Sequence, residues 1–378
     1  MRTLQVITQT RGGPVDHAVD VAIELAKQGH DSHVLGPAGD YVAAFAGSGV
    51  TMHELEIASK GDLRGAAALA RLVSRLKPSV LHCQDRLAGL FGRTVIRGGH
   101  VGVVYTLHGV PDALAGLVAG NLGPSEPGLN GRLAYLAGER WLSRSSRSLV
   151  VTPCQALAEY AVSHVGIRPG RVHVVHNGVG PGWLNIAPRS TGVEGPSAID
   201  SVVRLVWLGV MQPVKRVPEL IHAIAEVAQS ANVTLTLIGD GPERPQIESA
   251  VAKHGVTDRV EFAGFRSDPA TLLRTADILV LPSGAEACPM AVLQGMACSL
   301  PIVASRVGGL DELVRDGVDG ILVTPGSHQD LVRALRDLVE HRSTRLSMGA
   351  DARARLHARF TAEQMVGKLL DVYAEAAR

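Results

Sequence analysis

The sequence has few cysteines, and their spacing excludes the common metal-binding and redox motifs. Only four occur in 378 residues, and none forms a C-x-x-C pair. The histidines do not follow the spacing of a zinc site either. We therefore expect reduced thiols, as in a cytoplasmic protein, and no metal ligands.

A large excess of charge of either sign is also missing. Lysine and arginine number 37 against 36 aspartates and glutamates, so the formal net charge is +1. A protein that binds nucleic acid normally carries a marked basic excess. We therefore expect no nucleic-acid partner.

No apolar run is suited to span a membrane. The most apolar later stretch, residues 101–120, contains His108, Pro111 and Asp112. The first residues form a short apolar strand that is interrupted by Gln5, which is unlike a signal peptide. These features predict a cytoplasmic location.

Short apolar runs alternate with amphipathic helical stretches, which predicts an α/β fold with parallel sheets covered on both faces. Between residues 178 and 200, proline and glycine are frequent and periodicity is weak. We predict two doubly wound, Rossmann-like domains, over residues 1–180 and 201–360, joined by a linker at 181–200. Ligands bind at the carboxyl ends of such strands, so the domains are expected to face a shared cleft.

Individual elements can be predicted from the same patterns. In the first half these are strands at 4–8, 32–36, 79–83, 101–107 and 148–152, and helices at 15–28, 62–76 and 130–143. In the second half they include strands at 203–208, 233–238 and 278–281, and helices at 244–254 and 290–297.

Three junctions between a strand and a helix carry candidate ligand-binding residues. The first holds Gly12 and Gly13, where glycine allows the backbone to approach an anion at a helix N-terminus. A tight turn without a ligand explains these glycines equally well. The turn is not a G-x-G-x-x-G fingerprint, which argues against a dinucleotide-dependent dehydrogenase.

The second junction, Gly209–Arg216, ends with Lys215 and Arg216 at the start of a helix. The chain has only six lysines, and a cation at this position opposes the helix dipole. An anion bound between Lys215 and the helix start explains the placement. A solvated surface lysine is the alternative.

The third junction, residues 282–297, is the most informative. A strand ends in a glycine-containing turn, Glu286 follows, and a helix opens at about Pro289 and Met290. Capping of that helix by Glu286 is the alternative to ligand binding. Gly308–Gly309, before the next short helix, repeats an arrangement that suits an anion.

The third junction resembles the signature of retaining glycosyltransferase family 4, whose members have the GT-B fold. The family frame is E-G-x-P-x-x-x-L-E-A-M-A-x-G-x-P-V-V-A, and residues 286–304 read E-A-C-P-M-A-V-L-Q-G-M-A-C-S-L-P-I-V-A. Shorter motifs follow in the family's order: G-G-x-x-x-H at 12–17, T-L-H-G at 106–109, H-N-G-V at 176–179, L-I-G-D-G-P at 237–242, A-D-I-L-V-L-P-S at 276–283 and D-G-x-x-G-I-L-V at 316–323.

The resemblance implies a transferase that moves a hexose-type sugar from a UDP- or GDP-linked donor to a glycan, lipid or small-molecule acceptor with retention. It implies a GT-B fold in which a C-terminal helix, at about 361–378, crosses back to the first domain. The nucleotide-diphosphate sugar is a co-substrate, and no cofactor is expected. No Asp-x-Asp triplet is present, so no metal is expected.

The resemblance also implies roles for particular residues. Glu286 touches donor-sugar hydroxyls, Lys215 neutralises the diphosphate, and His108 lies beside the donor sugar. The base is contacted by backbone near Phe265 and Arg266. The full implied donor-binding set is Gly12, Gly13, Gly209, Lys215, Arg216, Phe265, Arg266, Glu286, Pro289, Met290, Ala291, Leu293 and Gln294.

The sequence departs from the family at two positions. Val210 stands where the family has an arginine, so Arg216 or Arg11 would have to supply the missing positive charge. Gln294 stands in place of the second signature glutamate. An amide can bond ribose hydroxyls but without the assistance of charge. A nucleotide-sugar-binding relative with impaired catalysis therefore stays open, as does a nucleotide-sugar epimerase.

The predicted helix at 130–143 and the residues after it are rich in arginine and include Trp141. Such a segment could contact an anionic membrane surface where a lipid acceptor lies. An ordinary helix with a solvated basic edge is the alternative.

Overall fold

The computed structural model describes residues 1–96, 101–123, 129–187 and 202–378. The chain divides into two compact units. The first comprises Met1–Ala119, Pro124–Gly180 and Phe360–Arg378, and the second comprises Gly120–Gly123 and Pro181–Arg359. Residues 181–187 of the predicted linker thus belong to the second unit, while 188–200 lie outside the described residues.

The first unit is built on a parallel sheet. Its strands are β1 (Arg2–Val6), β2 (Asp31–Gly36), β3 (Thr51–Glu54), β4 (Val80–Cys83), β5 (Gly102–Thr106), β6 (Leu149–Thr152) and β7 (Val172–Val174). In the described residues they lie in the order β3-β2-β1-β4-β5-β6-β7. The chain reverses direction across the sheet after β3, which brings the ends of β1 and β4 side by side.

The helices of this unit are α1 (Gly13–Lys27), α2 (Leu63–Leu76), α3 (Arg86–Val95), α4 (Leu129–Ser145) and α5 (Gln155–Tyr160). Aspartates begin two of them: Asp62 caps α2, and Asp85 caps α3 by accepting from two backbone N–H groups. A buried ion pair between Arg93 and Glu139 joins α3 to α4, with distances of 2.9 and 3.1 Å.

The second unit repeats the plan with a six-stranded parallel sheet in the described residues. Its strands are β8 (Val203–Leu208), β9 (Val233–Ile238), β10 (Val260–Gly264), β11 (Ile278–Leu281), β12 (Ile302–Ser305) and β13 (Gly320–Val323), in the order β10-β9-β8-β11-β12-β13. Its helices are α6 (Pro181–Leu184), α7 (Val217–Val227), α8 (Arg244–His254), α9 (Ala270–Leu273), α10 (Met290–Ala297), α11 (Leu310–Leu313), α12 (His328–Glu340) and α13 (Arg342–Arg359).

The last helix, α14 (Ala362–Ala376), returns to the first unit. It begins with a capping box formed by Thr361 and Gln364. Its apolar face, including Val366 and Leu369, packs with β4, β5 and α1 in one buried cluster. The backbone of Gly178 lies against this helix start so closely that an added Cβ would be 2.3 Å from the carbonyl oxygen of Thr361.

Candidate functional site

A charged pair lies at the carboxyl ends of the central strands of the second unit. Lys215, in a 3-10 turn after β8, donates from Nζ to Oε1 of Glu286, in the loop after β11, over 2.6 Å. Ser283 Oγ donates to the same oxygen over 2.7 Å. The Glu286 side chain is 7% exposed and that of Lys215 is 21% exposed. Lys215 is therefore not a solvated surface lysine.

Glu286 does not cap α10. The cap position is held by Pro289, which makes no side-chain hydrogen bond to the helix. The first N–H groups of a helix lack intrahelical partners, and Pro289 leaves those of Met290 and Ala291 at the start of α10 without a side-chain cap. The alternative interpretation of Glu286 as a helix cap is therefore wrong.

The loop that carries Glu286 is held by its backbone. Asn121 Oδ1 accepts from the Glu286 N–H over 3.4 Å, and Leu122 N–H donates to the Gly284 carbonyl over 2.7 Å. Gly308 adopts φ +51°, and a Cβ added there would lie 1.8 Å from the Glu286 carbonyl oxygen. Gly308 thus supports the Glu286 loop, a role that its sequence motif did not indicate.

Glycines after β8 and β9 serve close backbone packing. A Cβ added to Gly239 would lie 1.8 Å from the Gly209 carbonyl oxygen, and one added to Gly241 would lie 2.4 Å from that of Met211. The Gly239 N–H donates to the Gly264 carbonyl over 2.8 Å. The predicted base-contacting residues, Phe265 and Arg266, follow directly and are both exposed. The loops after β8, β9 and β10 therefore lie together.

Arg216 occupies a constrained position between Lys215 and α7. Its backbone is left-handed, with φ 53°, which costs free energy in a residue other than glycine. Its guanidinium pairs with Glu219 at 3.0 Å. An added Cβ at Gly284 would lie 3.4 Å from Arg216 Cδ, so the side chain lies along the loop that precedes Glu286.

The two positions that depart from the family frame differ in burial. Val210 is 44% exposed, next to Gly209, whereas Gln294 is 7% exposed within α10. Leu293 beside it is fully buried in the core. Gln294 is therefore almost buried within α10, whereas Val210 faces solvent.

In the first unit, Gly12 begins α1 with φ +105°. Apart from its two chain neighbours, no described residue has an atom within 4 Å of a Cβ added there, so this glycine is required by its backbone conformation and not by packing. Gly13 is the first helical residue and Pro14 the second. This geometry fits both the tight turn and the anion site.

His108 follows β5 and belongs to a group of three histidines. Its Nε2 lies 3.1 Å from Gln84 Oε1, and its ring meets that of His17 edge-on at 4.8 Å. Burial lowers the pKa of His17 to about 4 and that of His82 well below its ordinary value. Desolvation, followed by the neighbouring histidines, also lowers the pKa of His108 well below its ordinary value. All three imidazole rings are therefore neutral at physiological pH.

The sequence interpretation missed the partners of these residues. Ser283, Asn121 and Gly308 hold Glu286, and Gln84 holds His108. A polar residue directly after a buried strand was the available signal for Gln84. Across the described ranges, no group of three or more His, Cys, Asp or Glu side chains could hold a metal ion.

The segment singled out for its arginines forms α4. Leu133 and Trp141 on this helix are 68% and 53% exposed, and both line an open depression with Arg140 and Arg144. Arg140 Nε donates to the Val165 carbonyl over 3.0 Å. The helix thus presents apolar and basic side chains together.

Known families match both halves of the chain. Residues 11–182 match the model described as Glycosyltransferase Family 4, and residues 203–341 match that described as Glycosyl transferases group 1. A D-inositol 3-phosphate glycosyltransferase of Geodermatophilus obscurus is 31% identical over 336 residues, which cover 82% of this chain and 70% of that enzyme. The chain belongs to glycosyltransferase family 4.

A second family 4 relative matches almost end to end. N-acetyl-alpha-D-glucosaminyl L-malate synthase of Bacillus anthracis is 24% identical over 384 residues, covering 97% of this chain and 95% of that enzyme. The expectation of a glycosyltransferase is thereby confirmed at the level of the family.

Solved structures show the same fold. HepE of Anabaena, in complex with UDP and glucose, has a TM-score of 0.79 at 21% identity, covering 99% of this chain and all of that one. Sucrose-phosphate synthase of Thermosynechococcus elongatus has a TM-score of 0.80 at 17% identity, covering 99% of each chain. The predicted GT-B fold of two Rossmann-like domains is confirmed.

No helix in the described part of this family 4 chain is long and apolar enough to cross a membrane.

Proposed function

We propose that this family 4 member transfers a hexose-type sugar from a nucleotide-diphosphate donor, linked to UDP or GDP, with retention of the anomeric configuration. The observation that carries the proposal is the contact between Lys215 and Glu286 at the carboxyl edge of the sheet. A cation beside a carboxylate that can accept from sugar hydroxyls supports the proposal, since a nucleotide-diphosphate sugar carries both an anion and hydroxyls.

The chemistry assigns different work to the two groups. When the anomeric C–O bond breaks, charge grows on the leaving diphosphate, and a cation bound to the diphosphate stabilises that charge. Lys215 supplies that cation, together with the N–H groups at the start of α10. The acceptor hydroxyl bonds to the anomeric carbon as the bond to the diphosphate breaks, and its proton passes to the leaving diphosphate.

The other residues predicted from the sequence complete the proposed donor site. Glu286 accepts from hydroxyls of the sugar, and His108 lies beside it. Gln294 holds the ribose, and the backbone near Phe265 contacts the base. Donor contacts at Gly12, Gly13, Gly209, Arg216, Arg266, Pro289, Met290 and Ala291 belong to the same proposal, whereas Leu293 is fully buried and is left out of it.

Val210 and Gln294 favour a second candidate, a protein that binds a nucleotide sugar without transferring it. Each substitution removes one charge relative to the family frame. Such a protein would show donor binding and no acceptor-dependent breakdown of the donor. Release of a free, epimerised sugar would instead indicate an epimerase.

The test begins with a thermal-shift panel of UDP-, GDP- and dTDP-hexoses in the presence of a chelator. A donor that binds the folded state raises the melting temperature in step with its affinity. The donor selected is then incubated with pools of glycans, lipids and small metabolites, and the anomeric configuration of the product is read by NMR. Transfer only after Mg²⁺ or Mn²⁺ is added would contradict the metal-independent mechanism.

Peripheral contact of α4 with anionic lipid is proposed separately and has its own test. Exposed Trp141 and the arginines beside it would insert at the surface of a vesicle. Co-sedimentation with phosphatidylglycerol vesicles, lost in Trp141→Ala, supports this contact. No co-sedimentation by the wild-type protein contradicts it.

A further inference from the structure

Polar side chains lie inside the sheet of the first unit, where apolar ones are expected. Parallel strands that are covered on both faces normally carry Val, Ile and Leu. Gln5 on β1, His82 on β4 and Gln84 directly after β4 are each 0% exposed. Since burial of an unpaired polar group costs free energy, their hydrogen bonds indicate why they are there.

These side chains form a hydrogen-bonded chain from α14 to His108. Gln5 Nε2 donates to the hydroxyl oxygen of Tyr373 over 3.1 Å. Gln84 Nε2 donates to Gln5 Oε1 over 2.7 Å, which leaves Gln84 Oε1 facing His108 Nε2 at 3.1 Å. An amide oxygen only accepts, so the His108 ring nitrogen is the donor.

His82 completes the network at its inner end. Its Nδ1 lies 2.6 Å from the Tyr373 hydroxyl oxygen, and its Nε2 lies 2.6 Å from Thr106 Oγ1. Gln84 Nε2 also donates to His82 Nδ1 over 3.2 Å, so this ring nitrogen is an acceptor and the Tyr373 hydroxyl donates its proton to it. Tyr373 thereby fixes the direction in which the Gln5 amide points.

The second ring nitrogen of His108 stays available. Across the described residues Nδ1 has no hydrogen-bond partner, and it is not one of the fully buried polar atoms. The ring is also kept neutral, because desolvation and the neighbouring His17 and His82 lower its pKa. A neutral ring with its proton on Nε2 presents Nδ1 as an acceptor.

We propose that Tyr373, Gln5 and Gln84 are positioning residues that hold His108 in one neutral tautomer, with the proton on Nε2 and with Nδ1 accepting from a hydroxyl of the donor sugar. The inference rests on the proposed function, which places His108 beside that sugar. It gives the last helix a role at the site through Tyr373, whose hydroxyl is linked to Gln84, and thus to His108, through both Gln5 and His82.

The tautomer can be measured without any assay of transfer. Two-bond ¹H–¹⁵N correlation spectra of the protein labelled on its histidine rings distinguish a protonated Nε2 from a protonated Nδ1. The His108→Asn variant identifies the signals among the 15 histidines. We expect protonated Nε2 in the wild-type protein. A protonated Nδ1, which reversal of both amides would produce, overturns the inference.

Two variants test the chain of bonds. Tyr373→Phe removes one hydroxyl, and Gln84→Met removes the acceptor of His108. We expect a mixture of His108 tautomers in both. The matched control is Tyr160→Phe, because Tyr160 is also buried in this unit and its hydroxyl has no hydrogen-bond partner among the described residues. If Gln84→Met does not fold, Tyr373→Phe decides, and a His108 spectrum unchanged in it overturns the inference.

Kinetics then separate this inference from the proposed function. Once a donor has been identified, Tyr373→Phe should lower kcat about fivefold, which corresponds to the free energy of one hydrogen bond, and should leave KM nearly unchanged. Tyr160→Phe should match the wild-type protein. If no nucleotide sugar is bound or transferred by the wild-type protein, the proposed function fails while the tautomer result still stands. Equal kcat values for both tyrosine variants would overturn the positioning role.

Discussion

The two units hold their candidate functional side chains in opposite electrostatic states. In the second unit, Lys215 and Glu286 are of opposite charge and bind each other at 2.6 Å. In the first unit, His108 is neutral and bonded to an uncharged amide. A charged pair can be separated by a ligand that brings its own anion and hydroxyls, whereas a neutral network offers a fixed acceptor. If the proposed function is correct, the charged pair has to rearrange around a donor, whereas the neutral network does not.

The largest effect is expected at the charged pair. Lys215→Ala should lower turnover by roughly ten- to a thousandfold, the scale of losing one group that stabilises developing charge. Steady-state kinetics measure this, with Lys253→Ala on α8 as the control for the loss of another lysine in the same unit. Melting temperatures are measured in parallel because Glu286 would lose its partner. Unchanged turnover in folded Lys215→Ala would remove Lys215 from the mechanism.

Glu286→Gln should separate sugar recognition from nucleotide recognition. The variant loses charge-assisted bonds to hydroxyls, so affinity for the nucleotide sugar should fall by about 10- to 100-fold. Affinity for the free nucleoside diphosphate should stay the same or rise, because Lys215 no longer has a carboxylate partner. Calorimetric titration of both ligands gives the comparison. Equal losses for the two ligands would place Glu286 elsewhere than at the sugar.

Gly308→Ala should displace the backbone of the loop that carries Glu286. The new Cβ would clash with the Glu286 carbonyl oxygen, and the alanine would also have to adopt the left-handed backbone conformation of Gly308. Gly317→Ala is a matched control, since Gly317 has φ +76° and no atom within 4 Å of its added Cβ. We expect Gly308→Ala to be less stable than Gly317→Ala by about 1–3 kcal/mol in chemical denaturation. Equal stabilities of Gly308→Ala and Gly317→Ala would show that the Glu286 loop can shift to accept the Cβ without loss of stability.

Acid should destabilise the group of neutral histidines in the first unit. The pKa of His17 is about 4 in the folded protein, below the value of about 6.5 in the unfolded chain. The unfolded state therefore binds more protons between these values, and stability falls as the pH drops through this window. Between pH 7 and pH 5, the free energy of unfolding of His17→Asn should fall by about 1–2 kcal/mol less than that of the wild-type protein. His254→Asn, in the second unit, serves as control, and identical slopes for His17→Asn and the wild-type protein would contradict the assignment.

The smallest effect concerns the two departures from the family frame. Val210→Arg and Gln294→Glu restore one cation and one anion, so each is expected to depend on the other. A double-mutant cycle on donor affinity at fixed ionic strength should give an interaction of about 0.5–1 kcal/mol, at the low end for coupled neighbours. Strict additivity would identify the two substitutions as independent of each other.

Much of the second unit could be predicted from local sequence. The predicted elements at 233–238, 244–254, 278–281 and 290–297 are observed with the same bounds as β9, α8, β11 and α10. Glycine or proline stands at or directly beside an end of each of these elements, which marks their bounds. The candidate residues Lys215 and Glu286 were predicted separately, but their mutual contact was not, since it depends on how β8 and β11 pair.

The first unit was harder to predict. The short strands β3 and β7 and the helix α3 were missed, because β3 reads T-M-H-E and α3 contains two glycines. Gln5 was interpreted as an interruption of an apolar strand, whereas its side chain is fully buried and bonded to Tyr373 and Gln84. Contacts that join residues more than 300 positions apart leave no local pattern to read.

The central claim is that a donor separates Lys215 from Glu286. A crystal structure of the protein with its nucleotide sugar, grown in the presence of a chelator, tests it directly. We predict that Lys215 Nζ leaves Glu286 Oε1, now at 2.6 Å, and bonds a diphosphate oxygen while Glu286 accepts from the sugar hydroxyls. A bound donor with the Lys215–Glu286 pair intact and its diphosphate held elsewhere would contradict the account.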